Sequence, residues 1–118
     1  MNKPFDLEDR LIDFAVAVIN VVEVLPSSKA GNHIANQLVR SGTSPAPNYA
    51  EARGGESKRD FVHKLKISLK ELRETSVWLQ IIAKKKFCHA NVTEVVIKEC
   101  EELIALFVSS TKTAEGNN

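Results

Sequence analysis

Residues 36–82 read NQLVRSGTSPAPNYAEARGGESKRDFVHKLKISLKELRETSVWLQII, and the architecture of the whole chain follows from them. In the second half, Phe61, Leu65, Ser68, Leu72, Thr75, Leu79 and Ile82 recur at alternating steps of four and three residues. That spacing puts seven side chains on one face of a helix predicted over about 58–86. Ser57-x-x-Asp60 is a variant of the capping box at its start, and Lys84-Lys85-Lys86 places cations at its end, where the helix dipole favours them. In the first half, apolar bulk fades along the inward positions Ile34, Leu38, Ser41 and Pro45 of a helix predicted over about 28–53 and capped by Ser27 or Ser28. Small residues inside a helix let a neighbour approach closely. Pro45 and Pro47 are tolerated if Ser44 begins a new first turn, whose N–H groups have no intrahelical partner. The helix is therefore expected to kink or break near Thr43–Pro47 and to stop at Gly54-Gly55, with a loop in place of its second half as the alternative.

Two further helices flank this stretch. Leu7, Leu11, Phe14, Val18, Val21 and Leu25 predict a helix over about 6–25, with acidic residues in its first turn and Pro26 ending it. Ile12, Val16 and Ile19 widen its apolar surface beyond one stripe, which calls for a second contact. Asn91-Val92-Thr93-Glu94 reads as a capping box for a helix over about 92–111, with Val92, Val96, Leu103, Leu106, Phe107 and Ser110 inward and a frayed polar tail at 112–118. No segment alternates with period two long enough to be a strand. Four helical patterns with short connections predict an all-α, antiparallel, up-and-down four-helix bundle formed by residues 1–118 as a single domain.

Composition narrows the function. The chain is 43% hydrophobic and 26% charged, with 16 basic against 15 acidic residues, so it is neither disordered nor strongly basic as a whole. Cys88 and Cys100 stand apart from each other and from any Cys/His cluster, and are expected to be small buried hydrophobes in a reducing cytoplasm. The acidic, polar start is no signal peptide, and no apolar run reaches the roughly 18 residues of a membrane span.

No catalytic constellation stands out. His33, His63 and His89 are isolated and there is no Glu-x-x-His, so Glu51, Glu71 and Glu74 are not expected to hold metal. Ser41, Thr43 and Ser44 lack an adjacent base, and no glycine-rich phosphate loop is present, so neither an enzyme nor a cofactor is expected. Arg40, Asn48, Glu51, Lys64, Glu71 and Glu74 are read instead as an interhelical polar network.

Charge is unevenly distributed. Residues 58–86 hold nine basic and three acidic residues, a net of +6, whereas 1–26 and 91–118 each hold two basic and five acidic, a net of −3. Arg59, Lys66, Lys70, Arg73 and Lys84 fall within about 60° of helix surface, away from the core seam. They are the candidate contact for a phosphate backbone of RNA or DNA, against the plainer reading of a solvated face. A mixed strip beside them holds Ile67, Trp78 and Ile81. Together with Ile12, Val16 and Ile19, these form the candidate oligomer interface.

Arg40–Ser44 (RSGTS), Asn48 with Glu51-Ala52, Ser57-x-x-Asp60-Phe61, Lys64 and Leu69–Leu79 (LKELRETSVWL) resemble the four-helix-bundle proteins grouped with the 23S rRNA intervening-sequence proteins. The resemblance covers nearly the whole chain and departs at Pro45-Ala46-Pro47, where relatives usually show a triplet such as Val-Gly-Ala. It implies a bundle that often assembles as a ring-like homopentamer, without a defined biochemical activity. A related group, the accessory variability proteins of diversity-generating retroelements, is a basic pentamer that binds nucleic acid. The present chain is nearly neutral. The combined expectation is a self-associating, non-enzymatic scaffold or protein-interaction module of the cytoplasm, with a nucleic-acid-binding accessory protein as the second reading.

Overall fold

The computed structural model describes residues 6–55 and 57–116. The ends of the expected single domain, residues 1–5 and 117–118, lie outside that range, and with them the first residues of the acidic, polar start and the end of the tail expected to fray. Five helical segments follow one another: α1 (Leu7–Glu23), α2 (Lys29–Thr43), α3 (Pro45–Arg53), α4 (Lys58–Lys85) and α5 (Ala90–Glu115). No strand occurs among the described residues. α2 and α3 form one bent rod, so the architecture is a four-helix bundle with a kinked second helix.

The kink follows from its sequence. The Ser44 N–H donates to the Arg40 carbonyl at 3.2 Å, and next to it Pro45 and Pro47 have no N–H to give. The Asn48 N–H resumes the ladder on the Ser44 carbonyl at 3.1 Å, and the rod bends by only 19°. The segment is helical, which rules out the loop alternative. The Ser44 hydroxyl makes no capping bond; Pro45 at the first position starts α3 without one. Ser28 caps α2 by accepting from the Gly31 N–H at 3.0 Å, and Ser57 caps α4 through the Asp60 N–H at 3.1 Å.

Two expectations at the C-terminal end are corrected. α5 begins at Ala90 with His89 in the cap position and no side-chain cap, so Asn91 is inside the helix. The short turn made by Lys86 in the left-handed region, φ 59°, brings the chain round before Asn91 is reached. α5 also runs on to Glu115 and ends at left-handed Gly116. The tail from Lys112 is therefore helical through Glu115, because buried Thr111 and half-buried Ala114 extend its packed face. Val92 is exposed, and Thr93 and Cys100 occupy inward positions instead.

Leu11, Phe14, Val18, Leu38, Leu65, Leu72, Leu79, Leu103 and Phe107 form the dry centre, each 1% exposed or less. α1 packs on α2, α3 and α5 but not on α4; α4 packs on α2, α3 and α5. The two are diagonal. Arg53 meets Glu8 while Gly42 meets Val18, so α1 runs opposite to the bent rod. Lys64 meets Glu51 while Glu71 meets Arg40, so α4 also runs opposite to it. α1 and α4 therefore point the same way on opposite sides of the molecule.

Candidate functional site

The outward face of α4 carries the predicted stripe. Arg59, Lys66, Lys70, Arg73 and Lys84 are all exposed. Lys66 is neutralised by Glu115 of α5 at 2.8 Å. The other four have no acidic partner among the described residues. Arg59 with Lys58, Val62 and Glu115 edges a surface recess of about 600 Å³ between the start of α4 and the end of α5. Val77 and Ile81 lie exposed among the cations.

The six-residue polar network is not one network. Arg40 forms a fork, donating to Glu71 at 2.9 Å and to Glu74, and also to Gln37 at 3.3 Å. Trp78 completes this group by donating its indole N–H to Glu74 at 3.0 Å. Lys64 and Glu51 make a separate pair at 2.8 Å, about two to three turns away. Asn48 joins neither; its amide donates to the Ser44 carbonyl at 3.0 Å. The reason is axial height. Helical angle places all six on facing strips, but antiparallel packing sets Arg40 level with Glu71 and Glu51 level with Lys64. A second polar contact lies inside the core, where Thr75 donates to Ser41 Oγ at 2.9 Å.

Of the candidate oligomer-interface residues, Ile12, Val16, Ile19 and Ile81 are exposed. Ile67 is half-buried. Trp78 is turned toward its own bundle, held by Glu74 and packed edge-to-face on His33 at 5.9 Å between ring centres. The α1 and α4 residues, grouped together by the sequence reading, lie on opposite sides of the molecule.

α1 also holds the strongest polar link that sequence reasoning missed. Arg10 forks onto Glu99 at 2.7 and 2.8 Å and reaches Glu102 at 2.6 Å, tying α1 to α5. These bonds, those donated to Glu99 foremost, hold its guanidinium protonated above its ordinary range. The signal was available: Arg10 is the one cation between Asp6 and Leu25, and Glu99 and Glu102 share a face of α5 at i, i+3. With Arg10 and Glu8 engaged, Asp9, Asp13 and Glu23 remain outward without a cationic partner among the described residues. Asp6 most of all, by charge and by hydrogen bond, raises the Asp9 carboxyl above its ordinary value, and Asp13 and Glu8 add to this.

No group of three or more His, Cys, Asp or Glu side chains positioned for a metal occurs among the described residues. Cys100 is buried, and its thiol is pushed up to about 12 by burial first and by Glu101 and Glu99 second. Cys88 is half-buried at the α4–α5 turn, where Lys86, Phe87 and His89 border a recess of about 580 Å³. No described helix is long and apolar enough to cross a membrane.

Fold and surface thus define a helical-bundle protein whose helices are tied by surface ion pairs, with further cations on α4 and acids on α1 that no described residue neutralises. Residues 5–109 match the family of 23S rRNA-intervening sequence proteins, and the chain belongs to that family. Its structure is similar to that of a protein of unknown function from the S23 ribosomal protein family of Bacteroides thetaiotaomicron. The TM-score is 0.84 and the identity 31%, over 91% of this chain and 99% of that one. No curated protein matches the chain.

Proposed function

We propose that this chain is a non-enzymatic scaffold of the cytoplasm that works as a homo-oligomer, five copies being the favoured state. The observation that carries the reading is the row Ile12, Val16 and Ile19 on α1, which are 45%, 51% and 38% exposed. Three β-branched side chains on successive turns of one helix form a continuous apolar strip, and such strips mark contact surfaces. Replacing all three by Ser leaves the core untouched. Sedimentation velocity should then show the variant dissociating at concentrations where the parent chain stays assembled; equal sedimentation of the two refutes the role of this face.

The second reading is nucleic-acid binding by α4. It is favoured by the four cations, Arg59, Lys70, Arg73 and Lys84, that no described acidic group neutralises. Single-stranded RNA or DNA titrated across a salt series separates the readings. A phosphate contact gives a log–log slope of about −0.7 per neutralised phosphate, and absence of binding at low salt leaves the scaffold alone.

A further inference from the structure

The outward faces of α1 and α4 carry complementary patterns in the same order. On α1, the acids Asp9 and Asp13 precede the apolar Val16 and Ile19. On α4, the bases Lys70 and Arg73 precede the apolar Val77 and Ile81. Val16 and Val77, 51% and 55% exposed, sit near the outermost line of their helices, opposite the buried seams. Within each pattern the charged pair and the apolar pair are separated by about one turn, so these two pairs meet their complements in only one sense when the faces are laid side by side. That sense is parallel. Antiparallel alignment sets Asp9 and Asp13 against Val77 and Ile81.

We infer that the α1 face of one copy docks on the α4 face of a second copy, with the helices parallel. The inference rests on the self-association reading and names its contact. The occupant is another copy because this chain itself supplies the matching surface, with opposite charge and the same order of groups. The fold supplies the required orientation. α1 and α4 already run the same way, and they lie on opposite sides, since α1 touches every other helix of the bundle but not α4. A contact between two different surfaces is heterologous. It propagates from copy to copy and closes into a ring when the rotation permits. Pairing α1 with α1 would instead bring Asp9, Asp13 and Glu23 of both copies together, where they repel. Asp6, foremost, already raises the Asp9 carboxyl by charge and hydrogen bond, and a further acid opposite would add to that.

Charge reversal and its repair test the pairing. Asp13→Lys alone, and Lys70→Glu with Arg73→Glu, should each move the concentration at which copies assemble upward by about tenfold or more, because like charges then face each other. The three changes in one chain should restore assembly. Circular dichroism checks that helicity is unchanged in each. A second measurement uses Val16→Cys and Val77→Cys, each in a Cys88→Ser chain, with a short bis-maleimide. A mixture of the two should cross-link while each alone does not. A parent chain that is monomeric at every concentration defeats the self-association reading itself. An assembled parent indifferent to both reversals leaves that reading standing and overturns the pairing, as does cross-linking of the Val16→Cys chain to itself. Reversals on α4 that spare assembly and abolish RNA binding assign that face to nucleic acid and likewise overturn it.

Discussion

Val18 of α1 lies directly over Gly42 of α2: a Cβ added at Gly42 would stand 2.6 Å from its Cγ1 and 2.8 Å from its Cγ2. The close approach of these helices requires the glycine. Ala improves an exposed helix position by about 1 kcal/mol relative to Gly. At Gly42 the collision with a β-branched, fully buried valine exceeds that gain, and Gly42→Ala should lower stability by about 1–2 kcal/mol. Gly31→Ala meets the Pro26 carbonyl oxygen at 2.1 Å and should cost more, since backbone cannot swing away. Gly54→Ala meets nothing nearer than 3.8 Å and serves as the control. Urea unfolding of the three variants checks the order.

Lys86 adopts φ 59°, ψ 39° at the end of α4. A side chain in this left-handed region costs about 1–2 kcal/mol that glycine avoids. Lys86→Gly should therefore raise stability by about 0.5–1 kcal/mol after the greater chain entropy of glycine is set against the relief. Thermal unfolding reads the result; a lowered midpoint would show that Lys86 makes a contact worth more than its strain.

Arg40 is 48% exposed, so its fork onto Glu71 and Glu74 is well solvated. Water screens such a pair, and a double-mutant cycle of Arg40→Ala with Glu71→Ala should give a coupling of about 1 kcal/mol or less. Coupling of about 3 kcal/mol would mean the cluster is closed over by another surface, which a second copy would provide.

Burial disfavours the Cys100 thiolate, so the folded chain holds this proton from the ordinary 9.0 up to about 12 while the unfolded chain releases it. Between those values the unfolded state binds fewer protons, and stability falls as pH rises; below about 9 the contribution is fully present. Cys100→Ala should flatten that alkaline slope in denaturation measured from pH 8 to 11. A thiol reagent at pH 8 should label native Cys88 far faster than Cys100.

The core of α4 was legible because a period of 3.5 over seven positions overrides residue type: Ser68 and Thr75 are polar, yet both are fully buried, as their positions predict. The kink was legible from Pro45 and Pro47. The start of α5 was not, because His89 holds the cap position through the path of the Lys86 turn, a tertiary matter, while Asn91 only has the right side chain. Periodicity also assigns a residue to a face without giving its height along the bundle. This is why Arg40 and Glu51 belong to separate groups, and why Ile12 and Ile81 share a chemistry but not a side of the molecule. The Arg10 fork escaped for a related reason, since α1 and α5 lie 89 residues apart in sequence at that bond.

Scaffolding by this bundle requires that copies of it assemble. Light scattering coupled to size exclusion, on the unmodified chain at micromolar concentration and moderate salt, tests it most directly. The expected mass is several times the 13.1 kDa of one chain, near five copies. A single species of 13.1 kDa throughout the concentration range would contradict it.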